Sequence, residues 1–251
     1  MSFTNDYADT ERAVAYDQLG FAGTYLLAFR DLPDLLEAHV AGRRALDFGC
    51  GTGRTARWLA ALGYDAVGVD VAAEMVAVAR RRDPAGDYRV IGDGAFGDLP
   101  AGGFDLALAA FTFDNIPGRG HRARLLRGLR GLLAPAGRLV VIVSTPEIYT
   151  REWVTFTTRD YPENRRARCG DVVRIRTTDY DDPRPVEDIL WPDADYRTLF
   201  AETGLRCLTH ARPLATGEEG VAWVSETEVA PWSLYVLAAG RPAADGDPTA
   251  P

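Results

Sequence analysis

Lysine is absent from this chain: all 28 basic side chains are arginine, set against 36 acids, for a net charge of −8. With abundant Ala, Gly and Asp, that bias reads as coding preference rather than mechanism. The acidic balance and a pI near 5.0 argue against a general grip on nucleic acid, which needs a basic face. Cysteine is scarce. Cys50, Cys169 and Cys207 stand at spacings that suit neither a disulfide framework nor a metal site, so no metal is expected and a reduced cytoplasm is the default compartment. Long apolar runs are missing too, including any N-terminal stretch of the signal-peptide kind, so no membrane partner is expected. What remains is ample apolar material. A hydrophobic share of 47% over 251 residues suffices for one α/β domain with an inserted cap.

Strand-like runs fall near 44–48, 65–69, 88–91, 104–110 and 137–144, and helical runs near 53–63, 72–82, 119–134 and 194–203. Alternation at this spacing means a parallel sheet with helices on both faces, and ligands then bind beyond the carboxyl ends of the strands. The first of those strand ends is the most informative stretch. Ala45-Leu46-Asp47-Phe48 runs into Gly49-Cys50-Gly51-Thr52-Gly53, and a helical pattern follows at once. Glycines let the backbone take left-handed angles and let a ligand approach closely, and a helix start offers free N–H groups. A dinucleotide fingerprint, G-x-G-x-x-G, would place its third glycine on Arg54. Asp47 would also repel a pyrophosphate; it suits a ligand that brings an ammonium group. The second strand ends in Asp70, where an acid can accept both hydroxyls of a ribose.

These residues resemble the class I S-adenosylmethionine-dependent methyltransferases. The run Asp47 to Gly53 matches their first motif and Asp70 their second; the resemblance continues through Val71 to Met75 and covers about residues 40–144. It implies a Rossmann-like seven-stranded sheet, mostly parallel with an antiparallel last strand, and S-adenosyl-L-methionine as cofactor. The implied cofactor contacts are Asp47, Gly49, Cys50 through its backbone, Gly51, Asp70, Val71, Met75 packed on the adenine, and Phe111 at the end of the fourth strand. An acid after the third strand takes the adenine amino group in this family. Counting from the strand end selects Asp93 with Gly94; counting back from Leu99-Pro100 selects Ala95; a bland turn aspartate is the alternative. Residues 1–40 resemble a helical lid, with Tyr7, Tyr16, Thr24 and Tyr25 as candidates to touch cofactor or substrate. Among them Tyr16 and Thr24 are assigned to the cofactor.

Amino-methylating enzymes carry an N-P-P-Y type motif after the fourth strand. Here Asp114-Asn115-Ile116-Pro117 is followed by Gly118 where the aromatic would stand, so the match to adenine methylases is partial. Asn115 is taken as a catalytic candidate, against a plain turn. His121 reads as a solvated helix-start residue. His210, at the carboxyl end of a strand at 205–210, is the preferred candidate if a general base is used, against a packing or solvent role. The division expected is a lid at 1–40, a cofactor-binding core at 41–144, a substrate cap at 145–192, the end of the sheet at 193–240 and a disordered tail at 241–251. The cap is too apolar for a loose loop, with strands near 171–178 and 186–191. Glu147, Tyr149 and Trp153 head it as substrate contacts, Tyr149 also as a catalytic candidate, and its arginines read as a salt-laced surface, with one or two holding a carboxylate as the alternative. The expectation is methyl transfer to an O or N atom of a small metabolite by a monomer or homodimer. A binding protein that has lost transfer, or an NAD(P)-dependent oxidoreductase, are the alternatives.

Overall fold

A computed structural model describes residues 20–178 and 184–240. Tyr7, Tyr16 and the tail at 241–251 lie outside the described residues, so those expectations are left where they stand.

A 3-10 turn at Gly23–Tyr25 leads into α1 (Leu26–Phe29) and α2 (Leu32–His39). The alternating core follows: β1 (Arg44–Phe48), α3 (Arg54–Ala61), β2 (Asp65–Asp70), α4 (Ala73–Arg82), β3 (Asp87–Val90), β4 (Phe104–Ala110), α5 (Arg119–Leu132) and β5 (Leu133–Ser144). Between β5 and α6 (Asp193–Glu202) lie three short strands, β6 (Phe156–Thr157), β7 (Val172–Thr177) and β8 (Val186–Ile189). The chain closes with β9 (Leu205–Ala211) and β10 (Trp232–Ala239). Seven strands form one sheet in the order β3-β2-β1-β4-β5-β10-β9, and β10 runs antiparallel to both neighbours. The strands β6-β7-β8 make a separate antiparallel sheet. No helix among the described residues is long and apolar enough to cross a membrane.

Both faces of the large sheet are covered, which is why its central strands read as continuous apolar runs. Along β4, Leu106 and Leu108 join one core and Ala107 and Ala109 the other, as a two-residue period requires. The first core packs α1, α2 and the small sheet, through Phe156, Val173 and Ile175, against the same sheet face. The second packs α5 and α6 on the opposite face. β5 starts at Leu133 rather than near 137, because its pairing with β4 passes through a register shift between Phe104 and Leu106. Gly137 sits at that irregularity; a Cβ there would lie 2.7 Å from the Phe104 carbonyl oxygen.

Candidate active site

The turn after β1 takes left-handed angles at every second residue, with φ of 77° at Gly49, 53° at Gly51 and 80° at Gly53. That is the physical content of the alternating glycines. A Cβ on Gly49 would sit 2.3 Å from Thr112 Oγ1, so the position is crowded as well as strained. The amides of Gly49 and Cys50 both donate to the Val69 carbonyl, at 2.8 and 3.0 Å, which lashes the turn to the end of β2. The Gly51 amide donates to Asp70 Oδ2 at 2.8 Å, and the Ala72 amide donates to Asp70 Oδ1 at 2.9 Å. One carboxylate therefore braces the glycine turn against the start of α4. Burial raises the pKa of Asp70, opposed by those amide donors.

A cavity opens beyond the carboxyl ends of β1, β2, β4 and β5. Its near half is bounded by Gly49, Gly51, Asp70, Val71 and Met75, and by Asp93, Gly94 and Phe96 across the slot. Asp70, an acid held rigidly at a strand end beside an apolar slot, suits a ribose with an attached base. Gly94 has open space where a Cβ would stand. These residues fit an adenosyl group. His121 also lines the cavity; its Nε2 lies 2.7 Å from Asp93 Oδ1, so it is not merely solvated. A position early in α5, facing the β3 loop across the slot, is what the sequence reading missed.

The far half is built from side chains brought from many places. Phe111, the only non-glycine residue with positive φ (62°) among those described, ends β4. A left-handed aromatic residue is strained. Its ring is held 4.7 Å from that of Trp232 and 5.4 Å from Tyr25. Phe156 completes this wall, 5.3 Å from Tyr25 and 6.0 Å from Trp232. The same half holds an acidic cluster. Asp114 accepts from the Ser144 amide at 3.0 Å and from its hydroxyl at 2.9 Å. Asp188, from β8, accepts from Asn115 Nδ2 at 2.5 Å and from the Tyr149 hydroxyl at 2.9 Å. Burial and then the neighbouring Asp188 push the Asp114 carboxyl up to about 8. Burial and the two acids likewise raise the Tyr149 phenol. Behind this cluster the fully buried Arg122 donates to the Ile116 carbonyl and the Tyr196 hydroxyl, and lies 4.4 Å over the Trp191 ring.

Of the cofactor contacts read from sequence, Gly49, Gly51, Asp70, Val71, Met75, Asp93, Gly94 and Phe111 line the cavity, as do the catalytic candidates Asn115 and Tyr149. Others do not. Thr24 is fully buried and donates its hydroxyl to Glu226 at 2.6 Å; the neighbouring Tyr25 faces the cavity instead. Asp47 lies beneath the turn, buried, with Oδ2 unpartnered, and burial and Asp70 push its carboxyl up to about 7. Cys50 has its amide spent on Val69 and its side chain packed with Ala56, Val76 and Tyr88. His210 faces the other side of the sheet. Its ring stacks on Tyr235 at 4.4 Å, Nδ1 meets Arg197 at 2.7 Å, and burial lowers its pKa. Glu147 turns away to Arg212, and Trp153 is buried with Nε1 on the Ile148 carbonyl. Asp188 was missed, although in Val186-Glu187-Asp188-Ile189 it shares the Val186 face of a cap strand. Trp232 was missed because only an antiparallel last strand brings its first residue to the ligand end.

Residues 46–141 match the family described as a methyltransferase domain. The chain is 31% identical over 190 residues to the demethylmenaquinone methyltransferase of Beutenbergia cavernae, a match covering 70% of this chain and 75% of that one. It is 32% identical over 145 residues to the ribosomal RNA small subunit methyltransferase C of Chromohalobacter salexigens, a match covering 54% of this chain and 42% of the relative. A solved S-adenosylmethionine-dependent methyltransferase from Clostridium acetobutylicum aligns with a TM-score of 0.61 at 12% identity, over 92% of this chain and 98% of that one, which speaks for the fold. With the strand order, the antiparallel β10 and the Asp70-braced glycine turn, these similarities give one conclusion: the chain belongs to the class I S-adenosylmethionine-dependent methyltransferases.

Proposed function

We propose that the chain transfers a methyl group to an O or N atom of a small molecule. The observation that carries this reading is one continuous cavity that runs from Asp70 to Asp188, with one half suited to an adenosyl group and the other walled by aromatic and cap side chains. The relative named for demethylmenaquinone acts on a small molecule, and the net charge of −8 argues against a general grip on RNA.

S-adenosylmethionine, when bound, supplies a methyl group on a positively charged sulfur. The rest falls to the chain. Asp70 would accept hydrogen bonds from the ribose hydroxyls while its other lone pairs hold Gly51 and Ala72. Met75 and Phe96 would offer apolar surface to the base, and Asp93, which lines the same cavity, would serve as an acceptor for its amino group. Tyr25, Phe111, Phe156 and Trp232 exclude water from the far half and fix the acceptor's approach, so that alignment and desolvation contribute most of the rate. Asp114 and Asp188 hold or accept a proton beside the acceptor.

Calorimetric titration with S-adenosylhomocysteine and with NADH tests the reading. The first binds and the second does not. Asp70→Ala weakens binding about tenfold or more, because a charge-assisted acceptor and the turn's brace are lost together. Binding of NADH alone overturns the proposal. Transfer of a labelled methyl group into the low-molecular-weight fraction of a cell extract then separates an enzyme from a protein that only binds the cofactor.

A further inference from the structure

The acceptor half joins a polar corner to a wall of aromatic rings. The two adjoin: Trp232 pairs with Ser144 across β10 and β5, so their side chains share one face of the sheet. The corner is closed on itself. Asp114 accepts from the amide and the hydroxyl of Ser144. Asp188 accepts from Asn115 Nδ2 on one oxygen and from the Tyr149 hydroxyl on the other. Burial and then the neighbouring Asp188 hold the Asp114 carboxyl up at about 8, so it keeps its proton at pH 7. Polar groups that satisfy one another place no demand on a ligand. Among the described lining residues there is no arginine, the chain has no lysine, and His121 is engaged by Asp93 on the adenosyl side. A carboxylate or phosphate entering this half would lose its hydration with no cation to meet it. An ammonium group would find both Asp188 oxygens engaged and Asp114 protonated.

The wall is built from four separate segments: Tyr25 in the turn before α1, Phe111 after β4, Phe156 in β6 and Trp232 at the start of β10. All four line the cavity. The Tyr25 and Trp232 rings lie 17° from parallel at 5.6 Å, and Phe156 meets both edge-on, at 69° and 81°. Phe111 lies 4.7 Å from Trp232 at 58°. It keeps that place at a φ of 62°, an angle that glycine would take without strain. A ring is thus held here against the preference of its own backbone. Aromatic pairs at such angles attract each other beyond the area they bury.

We infer that the acceptor is an uncharged molecule that carries a flat aromatic ring: the ring packs against Tyr25, Phe111, Phe156 and Trp232, and no ion pair with the chain holds it. This rests on the methyltransferase reading above and names the substrate class of that site.

Four probes test it, each titrated calorimetrically at pH 7 into the full chain saturated with S-adenosylhomocysteine: 4-phenylbutanol, 4-phenylbutylamine, 4-phenylbutanoate and 4-cyclohexylbutanol. The first three share a body and differ in charge. The fourth keeps the alcohol and replaces the flat ring. 4-Phenylbutanol is expected to bind at least about tenfold more tightly than either charged probe, and about threefold more tightly than the cyclohexyl alcohol. Phe156→Leu removes one ring of the wall and is expected to cut the phenyl alcohol's advantage over the cyclohexyl alcohol to less than about twofold, while S-adenosylhomocysteine affinity stays within about twofold. Should Phe156→Leu fail to fold, the wild-type comparison decides alone. A charged probe that binds as tightly as 4-phenylbutanol overturns the uncharged assignment. A cyclohexyl alcohol that binds as tightly overturns the ring assignment. No binding by any of the four overturns both assignments. Each of these outcomes leaves the methyltransferase reading standing as long as S-adenosylhomocysteine binds; failure of S-adenosylhomocysteine itself to bind overturns that reading as well.

Discussion

The two halves of the cavity are made by different means. The adenosyl half is a property of backbone: a glycine turn, two amides on one carboxylate, and residues that follow strand ends within 50 positions of one another. The acceptor half is a property of side chains from six separate segments, from Tyr25 to Trp232, that meet only after the sheet and the small antiparallel sheet have formed. A backbone site is intolerant of a single methyl group but indifferent to most side chains. A side-chain site is the reverse, since its identity can change without disturbing the fold.

The sharpest way to break that contrast is Gly49→Ala. The added carbon falls 2.3 Å from Thr112 Oγ1 and 2.4 Å from Thr112 Cγ2, on a residue at φ 77°. Thr112 cannot simply turn aside, because its hydroxyl donates to the Phe48 carbonyl at 2.8 Å. The turn must shift, and S-adenosylhomocysteine affinity is expected to fall about a hundredfold, with a stability cost of about 1–3 kcal/mol in urea unfolding. Gly94→Ala is the matching control. It has a similar φ of 72° but nothing within 4 Å of the new carbon, so only the backbone strain remains. Equal losses in the two variants would show that crowding at the turn is not what makes the adenosyl half intolerant.

The same contrast explains what was legible beforehand. Asp70 and the glycines stand in a contiguous pattern whose spacing encodes backbone angles, so their placement could be read directly. The antiparallel β10 was implied by the family resemblance that those residues carry, and the long connection before it, with no crossover helix, suits that. Thr24 and Tyr25 differ by one position on a 3-10 turn, and nothing in the local pattern says which of them faces in. His210 was misplaced for a related reason. The pairing of β9 with β10 shifts register between Val236 and Leu237, and such a shift reverses which face a strand residue takes. Asp188 and Trp232 reach the cavity only through pairings of distant segments, β8 with β7 and β10 with β5.

A smaller effect separates the halves by pH. Asp114 titrates at about 8 in the fold, facing Asp188, Tyr149, Tyr196 and the Arg122 guanidinium, against an ordinary value of 3.8. Asp47 is raised to about 7, between Asp70 and Arg54. Each folded carboxyl holds a proton that the unfolded chain has already released, so stability falls as pH rises from the ordinary value towards the folded one. Chemical unfolding of the ligand-free protein is expected to show stability that declines from pH 5 to about 8 and levels off above it. Asp114→Asn removes the part of the decline that reaches pH 8, and Asp47→Asn the part that ends near pH 7. A slope unchanged by Asp114→Asn would mean that the acceptor half does not store a proton.

The least disruptive probe leaves both halves in place and loosens what joins them. The Thr24 hydroxyl donates to Glu226 Oε1 at 2.6 Å and accepts the Thr155 amide at 3.1 Å, while Glu226 also takes the amides of Val154, Val224 and Ser225. This buried carboxylate ties the segment before α1 to the start of the cap and to the loop before β10. Thr24→Val keeps the shape but orphans the Thr155 amide and removes one of the four donors to Glu226, at a cost of about 1–3 kcal/mol. Thr24 does not line the cavity, so S-adenosylhomocysteine affinity is expected to change less than about twofold, a difference of about 0.4 kcal/mol. Tyr25 next to it does line the acceptor half, so 4-phenylbutanol as a probe is expected to lose more than the cofactor product does. A cofactor loss as large as the probe loss would return Thr24 to the adenosyl site and erase the boundary between the halves.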